Sequence, residues 1–270
     1  MQYDQIARLG MVLLGCGKMG SAMLAGWLKG GLPPSSVHVI EPAPSDWLRS
    51  SGVQLNGALP AAPAVAILAV KPQVMGDALP RLQELGTGTT LFISIAAGTS
   101  LARLGETLGK NNPIIRAMPN TPAAVGCGIS ALVGNAHATE SHLELAEALL
   151  AAVGETVRLE DEAQIDAVTA VSGSGPAYVF HLIEAMAQAG EAEGLAPDLA
   201  MRLARATVIG AGQLAAGSTD SAAQLRINVT SPKGTTEAAL KVLMDEEAGL
   251  PPLMRKAIAA AANRARELAQ

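Results

Sequence analysis

Up to about residue 160 the chain alternates short runs of Val, Ile and Leu with longer segments of mixed polarity. This alternation predicts βαβ units around a parallel sheet. The expected strands are the runs at 11–14, 37–40, 53–55, 65–70, 91–95, 114–117, 129–133 and 156–158. Several are apolar almost throughout, as strands covered on both faces must be. Beyond about residue 162 such runs disappear, and Ala- and Leu-rich segments at 177–193, 197–216, 221–227, 236–245 and 252–268 take over. Pro197 and Pro252 fall where a first helical turn tolerates proline. The pattern predicts an α/β domain over residues 1–161 and an all-α domain over 162–270.

Composition narrows the function classes. Of 270 residues, 49% are hydrophobic but only 2% aromatic, so the core must be built from aliphatic side chains that suit close helix packing. A net charge of -5 without stacking platforms argues against a nucleic-acid surface. The first ten residues contain Asp4 and Arg8 and lack the apolar run of a signal peptide. The longest apolar stretch, 61–70, is broken by Pro63 and is too short to span a bilayer. A cytoplasmic protein with no membrane partner is expected. Cys16 and Cys127 are the only cysteines, and His38, His137, His142 and His181 are scattered, so no metal site is expected.

The chemistry begins at Gly15-Cys16-Gly17-Lys18-Met19-Gly20, a complete G-x-G-x-x-G between the apolar run 11–14 and a helix-like segment at 21–28. In such a turn Gly15 makes the tight bend, Gly17 lets a pyrophosphate approach the backbone, and Gly20 lets helix and strand pack closely. The helix start offers unpaired N–H groups and a favourable dipole to phosphate. An ordinary Gly-rich strand-to-helix turn is the competing reading. The next strand, 37–40, ends at Glu41, about twenty residues past the motif. An acid there can accept from an adenosine ribose 2′-OH and would repel a 2′-phosphate, which leans towards NADH. The first domain is therefore expected to be a Rossmann-type dinucleotide-binding domain.

Two further loops follow expected strands: Ala69-Val70-Lys71-Pro72, and 116–122 with Asn120. Ligands of doubly wound sheets sit beyond the carboxyl ends of strands, so both loops can line a cofactor crevice or can be plain rigid connections. In the second half, 171–178 and 229–237 are small-residue turns that open helices. Each can bind an anion through free N–H groups, or can be a tight helix–helix corner.

Taken in order, the segments 15–20, 69–72, 118–122, 172–178 and 231–236 resemble the pyrroline-5-carboxylate reductases over essentially the whole chain. The last two are specific to that family, whereas the first is shared by many dehydrogenases. The resemblance implies hydride transfer from NADPH or NADH to the C=N bond of 1-pyrroline-5-carboxylate, giving L-proline. It also implies a helical domain that intertwines with a second subunit, as a homodimer or a ring of dimers such as a decamer. By the same resemblance Thr236 approaches the ring nitrogen. Ser231, Lys233, Gly234 and Thr235 hold the substrate carboxylate, with Ser174 also on the substrate side. Gly15, Gly17, Lys18, Met19, Gly20, Glu41, Asn56, Ala69, Val70, Lys71, Pro72 and Asn120 belong to the cofactor. Glu162 matches a substrate-proximal acid only loosely.

Lys233 stands where the family usually has Gly, and Glu41-Pro42 lacks the basic or hydroxyl residues of NADPH-preferring relatives. Two rival readings stay in view. A β-hydroxyacid-dehydrogenase-like reductase combines similar halves, but places a catalytic lysine in a G-x-x-x-N-x-x-K setting that Lys233, Lys241 and Lys256 do not occupy. A noncatalytic dinucleotide-binding protein would keep the fold without the chemistry. An intact Thr236 and an undisturbed Ser-Gly-Ser-Gly-Pro stretch speak against it.

Overall fold

The computed structural model describes residues 3–86 and 88–268, except for the side chain of Pro72. By contacts it divides into two compact units, residues up to Gly173 together with those from Ala261 onward, and Ser174–Ala260 between them.

The first unit is built on an eight-stranded sheet in the order β3-β2-β1-β4-β5-β6-β7-β8. The strands are β1 (Met11–Leu14), β2 (Val37–Ile40), β3 (Gln54–Leu55), β4 (Val65–Leu68), β5 (Leu91–Ser94), β6 (Ile114–Met118), β7 (Gly128–Gly134) and β8 (Gly154–Arg158). Each expected strand is present. The helices of this unit are α1 (Asp4–Leu9), α2 (Lys18–Lys29), α3 (Asp46–Ser50), α4 (Pro72–Ala78), α5 (Leu101–Leu108), α6 (Glu140–Leu150) and α7 (Gln164–Val168).

Both faces of the sheet are covered. Along β1, Met11 and Leu13 join a cluster with Trp27 and Leu149, while Val12 and Leu14 join one with Leu68 and Phe92. That two-sided burial is why the strand is apolar at every position. The indole N–H of the fully buried Trp27 donates to the Leu149 carbonyl at 2.8 Å, which pins α2 to α6.

One strand departs from the parallel expectation, because β7 runs antiparallel to β6. The connection between them, residues 119–127, holds only a short 3-10 turn, Thr121–Val125. A parallel crossover needs a dozen or more residues, so this loop can only turn the chain back. The remaining neighbours pair in parallel. The order reverses direction between β1 and β4, which sets a ligand crevice at the carboxyl ends of those two strands.

The second unit holds α8 (Gly175–Ala192), α9 (Pro197–Ala216), α10 (Ala222–Asn228), α11 (Thr235–Leu243) and most of α12 (Leu250–Leu268). Its core is small: Ala187, Ala200 and Ala204, with Ile183 against them. Large apolar side chains lie exposed instead, among them Phe180 at 62%, Leu214 at 56%, Val242 at 72% and Leu253 at 61%. The last turns of α12, from Ala261, cluster with the first unit. A Cβ added to Gly98 would stand 2.9 Å from the Leu268 carbonyl, so that helix end lies against the loop after β5. Among the described residues no helix is long and apolar enough to cross a membrane.

Candidate active site

The carboxyl ends of β1, β2, β4 and β6 carry the first group of expected residues. Gly15 takes a left-handed φ of 89°. A Cβ there would stand 2.8 Å from Val70 Cγ1 and 2.9 Å from the Ala69 carbonyl, and one on Gly20 would stand 2.5 Å from the Gly15 carbonyl. A Cβ on Gly17 would meet nothing within 4 Å. Packing therefore demands the outer two glycines, while the middle one leaves its backbone open to a phosphate. Gly17 is also the N-cap of α2, and no side chain caps that helix start. Lys18 and Met19 are its first two residues. The glycine loop thus fits a dinucleotide pyrophosphate.

Glu41 turns back onto this loop. Its Oε2 accepts from the Cys16 N–H at 2.8 Å and its Oε1 from the Ala43 N–H at 3.0 Å. Asn56 fixes the main chain of Glu41 from both sides: its Oδ1 accepts from the Glu41 N–H and its Nδ2 donates to the Glu41 carbonyl, each at 2.9 Å. Asn56 reaches that position with a left-handed φ of 52°. Burial, and then the charge of Glu41, pushes the Cys16 thiol up to about 11. Cys16 stays a neutral thiol near pH 7 and is no nucleophile.

After β4 the Ala69 N–H donates to the Leu14 carbonyl at 2.8 Å, which brings Ala69 and Val70 over the glycine loop. Lys71 is the exposed N-cap of α4 and Pro72 its first residue; the Pro72 side chain lies outside the described residues.

After β6, Asn120 is engaged by the protein at both ends of its amide. Its Oδ1 accepts from the Ile129 N–H at 2.9 Å, and its Nδ2 donates to the Ser172 carbonyl at 3.2 Å. Ser172 lies in a π-helical turn, Thr169–Gly173, that directly precedes α8. Such turns are rare and concentrate at functional sites. Glu162 is an ion-pair acid: its Oε1 lies 2.8 Å from Nη1 of the buried Arg116 and accepts from the Leu101 N–H, also at 2.8 Å.

The remaining expected residues lie in the second unit. Ser174 is the N-cap of α8 and uses no side-chain capping bond. Residues 231–236 form a turn that opens α11, with Gly234 as N-cap and Thr235 and Thr236 in the first turn. The Gly234 N–H donates to the Ser231 carbonyl at 3.0 Å. Thr236 is half-buried, and its hydroxyl has no hydrogen-bond partner among the described residues. Lys233 is exposed with a left-handed φ of 58°, and its N–H donates to Glu237 Oε2 at 2.6 Å. Sequence reasoning did not single out Glu237; the available signal was an acid at the third position of a helix behind a Gly N-cap.

A doubly wound sheet with a phosphate-fitting glycine loop at its switch point, followed by a helical unit, defines the two-part dinucleotide-binding reductases. Residues 162–268 match the family model for pyrroline-5-carboxylate reductase dimerisation, and residues 10–98 match one described as NADP oxidoreductase, coenzyme F420-dependent. A pyrroline-5-carboxylate reductase of Pseudomonas aeruginosa is 41% identical over 266 residues, covering 96% of this chain and 97% of its own. The structure of such a reductase from Coxiella burnetii superposes with a TM-score of 0.90 at 36% identity, covering 97% of this chain and 98% of that one. A Plasmodium falciparum pyrroline carboxylate reductase with NADP bound reaches 0.82 at 26% identity, covering 98% and 99%. The chain belongs to the pyrroline-5-carboxylate reductase family.

Proposed function

We infer that this protein reduces 1-pyrroline-5-carboxylate to L-proline with NADPH or NADH. The observation that carries this reading is the 41% identity to the Pseudomonas reductase across 97% of that protein. A reduced nicotinamide, when bound, supplies the hydride for the imine carbon, and the nitrogen gains a proton.

The chain's own residues bind and orient. Gly15, Gly17 and Gly20 with the start of α2 hold the pyrophosphate. Glu41, beside Asn56, faces the adenosine ribose, which favours NADH. Ala69, Val70, Lys71, Pro72 and Asn120 line the dinucleotide. The turn of Ser231, Lys233, Gly234 and Thr235 receives the substrate carboxylate through N–H groups at the start of α11, and Ser174 serves the substrate at α8. The Thr236 hydroxyl hydrogen-bonds the imine nitrogen as its charge changes. A hydroxyl of ordinary acidity is a poor general acid, so Thr236 positions while water or a preprotonated iminium provides the proton. The functional division falls at residues 161/162, with cofactor chemistry before it and substrate binding and dimerisation after it. The working state is a cytoplasmic homodimer, or a ring of such dimers, through the helical unit.

The test is NADH and NADPH oxidation with pyrroline-5-carboxylate, with proline measured as product, set beside NAD+ and NADP+ reduction with β-hydroxyacids as the competing substrates. Turnover of the hydroxyacids alone, or of neither class, overturns the reading.

A further inference from the structure

We propose that Glu237 is a positioning residue for the carboxylate-receiving turn, acting through the main chain of Lys233; the proposal rests on the reading of that turn given above. Lys233 carries a side chain at φ 58°, in the left-handed region that favours glycine. Something must hold it there. The Glu237 carboxylate does so directly, accepting the Lys233 N–H at 2.6 Å. Its other oxygen lies 3.2 Å from Lys241 Nζ, one turn further along α11. Glu237 sits at the third position of the helix, where an acid ordinarily reaches back to the N-cap N–H. Here it reaches one residue further, past Gly234, and so ties the turn to the helix that follows it.

The same contact answers an electrostatic difficulty. An acid at the mouth of an anion-binding turn repels the anion unless its charge is balanced, and Lys241 supplies that balance. Glu237 therefore contributes hydrogen-bonding geometry, with its negative charge offset by the neighbouring ammonium.

Steady-state kinetics on the full-length protein separate this role from simple helix stabilisation. Glu237→Ala is expected to raise KM for pyrroline-5-carboxylate about tenfold, the loss of one charge-assisted hydrogen bond, with kcat and dinucleotide KM within about twofold. Glu237→Gln keeps an acceptor oxygen and should stay within about threefold of the wild type. Adding Lys233→Gly to Glu237→Ala should bring KM back to that of Lys233→Gly alone, because glycine holds the left-handed turn without a clamp. An unchanged substrate KM in folded Glu237→Ala overturns the proposal, as does a Gln variant as impaired as the Ala one. Should Glu237→Ala fail to fold, the shorter Glu237→Asp takes its place with the same expectation. If the wild type does not turn over this imine, the substrate reading falls separately. Amide exchange then decides the clamp: a faster Lys233 N–H in the Ala but not the Gln variant supports it, and equal rates overturn it.

Discussion

Thr236 occupies the second position of α11, and the N-cap of that helix is Gly234. The N-cap position is thus not the threonine's. Thr236→Ala should lower kcat/KM for the imine by roughly tenfold to a thousandfold, the range for losing one placed polar group at a reacting centre. Thr236→Ser should keep much of the activity, and dinucleotide affinity should hardly move in either variant. An equally active alanine enzyme would take Thr236 out of the mechanism. At the other site, Glu41 already accepts from the Cys16 and Ala43 N–H groups, so its charge stands beside the glycine loop. Glu41→Ser should shift the kcat/KM ratio towards NADPH by removing a carboxylate that repels a 2′-phosphate. An unmoved ratio would mean that Glu41 serves the loop alone.

At the scale of elements, α6 starts with an unusual cap. Neutral His142 accepts the Thr139 N–H on its Nδ1 at 3.1 Å, and burial holds its pKa below the ordinary value. In the unfolded chain the imidazole takes a proton more readily, so the stability from this cap is present above the ordinary histidine pKa and is lost as pH falls below it. The melting temperature should therefore fall between about pH 7 and pH 5, the span around an unperturbed histidine. His142→Gln, which keeps an acceptor but does not titrate, should flatten that fall. An identical slope in the variant would assign the pH dependence elsewhere.

The elements were also where the chain read most clearly. Runs such as Met11–Leu14 and Val65–Leu68 are apolar at every position because both faces are buried, and that signal is local. The direction of β7 is not, since it follows from the length of the loop before it. The same distinction holds at the site. Gly15 and Gly20 announce themselves by spacing, whereas the engagement of Asn120 with Ser172, 52 residues away, and the hold of Glu237 on Lys233 depend on where side chains end up.

At the scale of the molecule, the helical unit stands out for what it leaves uncovered. A core of three alanines and one isoleucine cannot account for exposed Phe180, Ile209, Leu214 and Leu253 on a stable isolated surface. Light scattering should give at least twice the 27.4 kDa of a single chain at working concentrations. A stable monomer would overturn the dimer.

The return of α12 to the first unit has a consequence for the order in which the protein is made. A ribosome releases β1 through β8 long before residues 261–268, yet those residues pack with the first unit and close against Gly98. The dinucleotide-binding half therefore emerges early but is completed late, after the entire helical half has passed through the exit tunnel. Clipping the last turns of α12 would leave the sequence of the turn at 231–236 intact and wound the half of the protein that lies farthest from the cut along the chain.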